Sequence, residues 1–354
     1  MNLRVNWFLF LPALLLTILG TVILSSVSPK SFPQQFFNLG LALLTYLLFS
    51  QIDLRVLRSL SGIFYLLSIV LLVITFVFGF VSHGAVRWIN LGFFTIQPSE
   101  VVKPLSILFF ASVVSWPKGD KKYLYSVLAL IPAIALVLLQ PDLGSSLVVF
   151  TGFIGVILLA GIPIRYLLGA AIIFMLTTPL IWQILAGYQQ DRLLSYLKPA
   201  SDPLGSGYNS IQSMIAIGSG QFLGRGLGQG TQSQLLFLPE RHTDFIFAAL
   251  SEELGFVGSG LLLLAFAIML SKIVLSVRDS TDVFTKALLG GIFLSIFSQA
   301  AINIGMNLGI MPVTGIPLPF VSSGGSSLIS MSAMIGMATL AIHSLKGGRN
   351  SGIL

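Results

Sequence analysis

The chain has 354 residues, of which 55% are hydrophobic and 9% charged, with a formal net charge of +7 and a mean hydropathy of +0.95. A soluble domain has no use for so much apolar surface, so lipid is the expected solvent. The lack of cysteine excludes a disulfide frame, a thiolate nucleophile and cysteine-ligated zinc or iron–sulfur centres.

A helix needs roughly 20 residues to cross the hydrocarbon. Apolar runs fall at about 7–27, 35–50, 62–82, 98–115, 123–140, 143–160, 165–186, 245–271, 284–308 and 323–345. They predict an all-α, polytopic integral membrane protein with about ten transmembrane helices, in a single domain over 1–354. Nine or eleven crossings are the alternatives, because the second run is short and only Gln140-Pro141-Asp142 parts the fifth from the sixth. The first run resembles a secretory leader, with Arg4 ahead and Ser25, Ser26 and Ser28 behind, but the spans that follow make it an uncleaved first helix.

With ten crossings, the connections alternate between two sides. One side collects Arg4, Arg55, Arg58, Lys118, Lys121, Lys122, Arg165, Lys272, Arg278, Lys286, Lys346 and Arg349, while short loops and spans of the other half hold Lys30, Arg87 and Lys103. Basic residues mark the cytoplasmic side. Both termini are therefore expected in the cytoplasm, and the long loop 187–244 outside. The basic excess orients the chain in a membrane and is no nucleic-acid footprint.

Two outer segments depart from a spanning pattern. The loop 187–244 includes Asp202-Pro203, a helix-like stretch at 211–217 suited to the interface plane, and Gly224-Arg225-Gly226-Leu227-Gly228-Gln229-Gly230. That glycine run lacks the preceding strand and the Gly-Lys-Ser/Thr ending of a phosphate loop, and reads as a flexible outer loop. The segment 308–323 holds Pro312, Pro317 and Pro319 but no charge. Prolines break a helix, and irregular backbone at membrane depth must be buried in protein or line a wet cavity. It is expected to dip back into the bundle.

Ionisable residues are scarce, yet Glu240, Arg241, His242, Asp244, Glu252 and Glu253 crowd together. Such groups persist in a membrane chain where water, substrate or a partner offsets their desolvation. Asp244 stands just before an apolar run and reads both as a helix cap and as a general base aimed at a substrate hydroxyl. One of Glu252 and Glu253 is expected to pair with a cation across the bundle. Glu100 and Lys103 share a helix face at i,i+3, which suits a structural ion pair or a substrate contact. Arg87 suits phosphate, and Trp88 suits a membrane boundary. Asp142 is a second carboxylate at a helix start. His83 and His343 stand apart from the carboxylates, so no zinc spacing exists and no metal site is assigned.

These motifs together resemble the SEDS family (shape, elongation, division and sporulation proteins). The resemblance runs through Arg87-Trp88-Ile89, Gln97-Pro98-Ser99-Glu100 with Lys103, Gln140-Pro141-Asp142-Leu143-Gly144, Gln212-Ser213 with Ala216-Ile217-Gly218-Ser219-Gly220, Pro239 to Gly255, and Pro312 to Ser326. Arg241 before His242-Thr243-Asp244 and Val313-Thr314-Gly315-Ile316-Pro317-Leu318-Pro319-Phe320 look more like the elongation branch than the division branch. Val86, Ser145 and Ser323 depart from the usual pattern, and Val86 replaces a frequent arginine.

The resemblance implies a peptidoglycan glycosyltransferase in the bacterial inner (plasma) membrane, polymerising lipid II on the extracytoplasmic face. It implies Asp244 as the catalytic residue and importance for Trp88, Glu100 and Lys103. Arg87, Asp142, Arg241 and His242 complete the expected substrate-binding set. It implies a class B penicillin-binding protein as partner, with membrane lipid around both. It requires no cofactor and leaves room for a divalent cation at the pyrophosphate. A lipid II flippase, a division- or sporulation-type polymerase and a scaffold without chemistry are the rival readings.

Overall fold

The computed structural model describes residues 3–82, 85–90, 92, 94–116, 119–184, 187, 190 and 207–350. Helices α1 (Trp7–Val27), α2 (Phe32–Gln51), α3 (Leu54–Phe78), α4 (Pro98–Val114), α5 (Lys121–Leu139), α6 (Leu143–Leu159) and α7 (Ile164–Ile184) come first. They are followed by α8 (Tyr208–Ser219), α9 (Thr231–Gln234), α10 (Ile246–Asp279), α11 (Val283–Asn307) and α12 (Gly325–Asn350). Each predicted apolar run falls on a helix. Six of these, α1, α3, α5, α10, α11 and α12, are long and apolar enough to cross a membrane. The chain is a multi-pass membrane protein.

One apolar core joins α1 to α6 with α10, α11 and α12. Main pairings are α12 on α2, α11 on α6, α1 on α10 and α3 on α4. The α6–α11 pair approaches through glycine: a Cβ on Gly155 would lie 2.2 Å from the Gly290 carbonyl oxygen. Apolar tails give helices no hydrophobic drive to associate, so close backbone packing supplies it.

The structure corrects several sequence expectations. Helix α3 starts at Leu54 rather than 62, because Asp53 caps it by accepting from Arg55 N at 2.8 Å. The chain is not purely α-helical. Strands β1 (Phe80–Ser82), β2 (Ala85–Asn90) and β3 (Thr95–Ile96) form an antiparallel sheet in the order β1-β2-β3. Helix α8 covers the helix-like stretch 211–217, docks on α10 and buries Ser213 and Ala216. Asp202, Pro203 and His83 lie outside the described residues.

The largest correction is in α10, which is two helices joined at Gly255 (φ 64°, ψ −159°). The residues 220–226 fill the break. Arg225 N donates to Glu252 O and Gly226 N to Glu253 O, both at 3.0 Å, while Phe256 N donates to Gln221 O at 2.9 Å. The glycine run is thus a fitted plug rather than a loose loop. Neither Glu252 nor Glu253 pairs with Lys or Arg among the described residues. Glu252 accepts from Gln232 N (2.8 Å) and Ser233 N (2.9 Å) at the start of α9, and Glu253 from Ser26 Oγ (2.6 Å) and Gln234 Nε2 (3.0 Å).

Gly255→Ala is expected to lower the thermal unfolding midpoint in detergent. Its backbone conformation is nearly exclusive to glycine and costs other residues about 1–3 kcal/mol. The added Cβ would also meet Gly224 N at 2.2 Å. A midpoint equal to that of the parent would show that the break is not built on glycine.

Candidate active site

The site forms where irregular backbone enters the bundle. In the segment 308–323, Leu308, Ile310 and Met311 are exposed, while Ile316, Leu318, Phe320 and Val321 are buried, so its second half dips into the bundle as its lack of charge led us to expect. Its carbonyls need partners in a dry environment, and α11 supplies them. Gln299 Nε2 donates to Pro317 O at 3.0 Å, and Asn303 Nδ2 to Ile316 O at 2.7 Å. The α6 start packs on the same segment through Gly144, whose added Cβ would lie 3.0 Å from Thr314 O.

Asp244 sits beside this segment, half-buried; a Cβ on Gly315 would lie 3.5 Å from its Oδ2. Its main-chain carbonyl accepts from Asn303 Nδ2 (2.9 Å) and Asn307 Nδ2 (3.0 Å). The expected capping position is corrected: Phe245, not Asp244, is the N-cap of α10. Asn307 Oδ1 instead accepts from Ala248 N at 3.1 Å, capping the helix from its neighbour. Two more bonds stitch the turn to the segment: Ser322 Oγ donates to Thr243 O (2.6 Å) and Ser323 N to His242 O (2.9 Å). Arg241 Nε donates to Val27 O at 3.1 Å.

Glu100 and Lys103 form a 2.6 Å ion pair, with side chains 1% and 0% exposed. Lys103 Nζ also donates to Gln299 Oε1 at 3.1 Å. Glu100 Oε2 is buried without a hydrogen-bond partner. A single amide, Gln299, thus ties this pair to the segment beside Asp244. Lys103 is enclosed by protein, with a side chain 0% exposed.

Asp142 is a genuine helix cap: its Oδ1 accepts from Ser145 N at 3.0 Å. Its Oδ2 takes Ser99 Oγ (2.9 Å) and Gln97 Nε2 (3.2 Å), clamping the start of α4 to the start of α6. Arg87, on β2, donates through Nε to Gln140 O at 2.9 Å and through Nη2 to Pro141 O. It caps the end of α5 with groups the sequence reserved for phosphate.

Trp88 lines a cleft of about 450 Å³ with Lys30, Asn38, Asn90, Thr95 and Ser323. Lys30 makes no ion pair among the described residues, and its side chain is exposed at this cleft. An apolar groove lies among α1, α2 and α12, bordered by Leu14, Leu39, Ala42, Leu43 and Leu328. The arrangement suits an amphiphile with an anionic polar head and a long apolar tail. Among the described residues, no three His, Asp or Glu side chains gather as a metal site would need.

Sequence reasoning missed Gln299, Asn303 and Asn307. Their signal was present: three amides at i, i+4 and i+8 in an apolar helix share one face. It also missed Lys30 as a cleft residue, reading it for orientation alone.

The family model FTSW_RODA_SPOVE, described as a cell cycle protein, matches residues 6–346. The chain belongs to this family. It is 40% identical over 311 residues to peptidoglycan glycosyltransferase MrdB of Escherichia coli (strain K12), covering 86% of this chain and 84% of that one. Among solved structures, it is similar to a chain of a peptidoglycan synthase complex studied for how polymerisation and crosslinking are coordinated, with TM-score 0.84 and 32% identity over 96% of this chain and 98% of the other. It is also similar to the rod shape determining protein RodA of Thermus thermophilus, with TM-score 0.71 and 29% identity over 96% and 97%. The family expected from scattered motifs is therefore the one to which the whole chain belongs.

Proposed function

We propose that this chain is a peptidoglycan glycosyltransferase of cell-wall elongation, with Asp244 as its general base. The acceptor sugar's 4-hydroxyl attacks the anomeric carbon of the donor. A C–O bond forms, the bond to the lipid diphosphate breaks, and the diphosphate leaves with the electron pair. Asp244 takes the hydroxyl proton. Lipid II serves as donor and acceptor, and β-1,4-linked glycan grows.

One observation carries this reading: a half-buried carboxylate is fixed by its own backbone carbonyl, next to a buried glycine-containing segment. Such anchoring keeps a base in place while its side chain meets substrate. The developing diphosphate charge needs cations. Lys30 at the cleft, the remaining guanidinium donors of Arg87 and Arg241, and Lys103 behind Glu100 are the candidates. Trp88 and His242 would border the sugars. Asp142 would hold the start of α4, and with it Glu100, in register, and Glu100 would keep Lys103 charged behind the site. A divalent cation, if used, would be held through the diphosphate oxygens, as is usual for magnesium.

Ten crossings, read from the apolar runs, and the distribution of basic residues support cytoplasmic ends and an Asp244 that faces the extracytoplasmic side. The partner is a class B penicillin-binding protein, in keeping with the similarity to a chain of a synthase complex. Elongation is favoured over division by the 40% identity to MrdB and by the motifs around Asp244 and Pro317.

Purified protein in liposomes with labelled lipid II, together with its partner, is expected to yield glycan polymer without any energy source. Transfer of lipid II across the bilayer with no polymer would replace this reading with the flippase.

A further inference from the structure

The amide face of α11 does more than satisfy buried carbonyls. Gln299, Asn303 and Asn307 are all 0% exposed. Gln299 accepts from Lys103 and donates to Pro317 O; Asn303 bridges Ile316 O and Asp244 O; Asn307 donates to Asp244 O and caps Ala248. Asn307 Nδ2 also donates to Asn303 O at 2.8 Å, and Ser213 Oγ donates to Asn307 O at 2.8 Å. One helical stripe therefore joins the Glu100–Lys103 pair, the irregular segment, Asp244 and α8.

We propose that Asn303 and Asn307 are positioning residues for the reaction: they set where the Asp244 carboxylate stands relative to the acceptor hydroxyl. This rests on the reading of Asp244 as the base. Both act through its carbonyl and touch no substrate. Their shared acceptor fixes the residue from two directions, which a single bond does not. A displacement of about 1 Å at a reacting group can cost about a hundredfold in rate, so small shifts in this anchor are felt at the carboxylate.

Two substitutions separate holding from folding. Asn307→Asp keeps an acceptor for Ala248 N but removes the donor to Asp244 O. Asn303→Leu keeps the volume but removes both donated bonds. Each is measured with the partner present for kcat and KM with lipid II, for the pH dependence of kcat, and for thermal midpoint, with Asp244→Asn alongside. We expect kcat to fall about tenfold to a hundredfold per folded enzyme. KM should stay within about twofold, because uniform substrate binding is untouched. The acid limb of the kcat profile should move, because the base has a new environment. A loss explained by the folded fraction alone, with the acid limb in place, would overturn the positioning role. If Asp244→Asn polymerises at the parent rate, the base reading and the positioning role fall together. An inactive Asp244→Asn beside parent-like Asn303→Leu and Asn307→Asp overturns the positioning role only.

Discussion

Asp244→Asn is expected to slow glycan polymerisation by about 10²–10⁴-fold, the range a positioned general base contributes, while the protein folds with an unchanged thermal midpoint. The bonds that fix this residue run to its carbonyl, from Asn303 and Asn307, and asparagine keeps that carbonyl. Any local contact the side chain makes to backbone N–H groups is also preserved, since asparagine caps as well as aspartate. What is lost is the negative charge and, with it, the capacity to accept a proton. Gel analysis of labelled glycan, with a melt on the same preparation, reads both quantities. Normal polymer length and rate in the variant would leave the carboxylate a purely structural group.

Lys103→Met is expected to be the most damaging change to stability. Removing one partner of a buried ion pair strands the other, at a cost of about 3–5 kcal/mol. Glu100 is 1% exposed and its Oε2 already lacks a hydrogen-bond partner, so it has no other group to turn to. Gln299 Oε1 loses its donor as well. The double change Glu100→Gln with Lys103→Met should recover part of the loss, because no charge remains buried. Thermal unfolding of the two single variants and the double gives the coupling directly. A double variant that falls by the sum of the singles would mean that the two side chains do not depend on each other.

The spans were legible because lipid-facing helices must be apolar for nearly their whole length. Burial of the second half of 308–323 was legible for a related reason: prolines without charge leave the backbone few places to go; the exposure of Leu308, Ile310 and Met311 was not. The carboxylates were found by scarcity. Their partners were not legible. Arg87 reads as a phosphate ligand until its contacts with Gln140 O and Pro141 O are seen, since nothing local says that α5 ends beside it. Glu252 and Glu253 invite a cation, yet backbone N–H groups and small hydroxyl or amide side chains serve them. The sheet hid in a short alternation around Val86 and Trp88, too brief to stand out between long helices. The break at Gly255 hid inside a continuous apolar pattern, because its plug lies about thirty residues away along the chain.

That break has a consequence for how the enzyme meets bilayers of different thickness. Residues 256–279 alone extend about 36 Å at 1.5 Å per residue, more than the roughly 30 Å of hydrocarbon. This shaft is therefore long enough to cross without the stub that follows Asp244. Mismatch between a shaft and its bilayer is relieved by tilt. The stub, for its part, keeps its registry with α11 through Asn307. Length matching to a bilayer and the support of Asp244 thus fall to different halves of one broken helix.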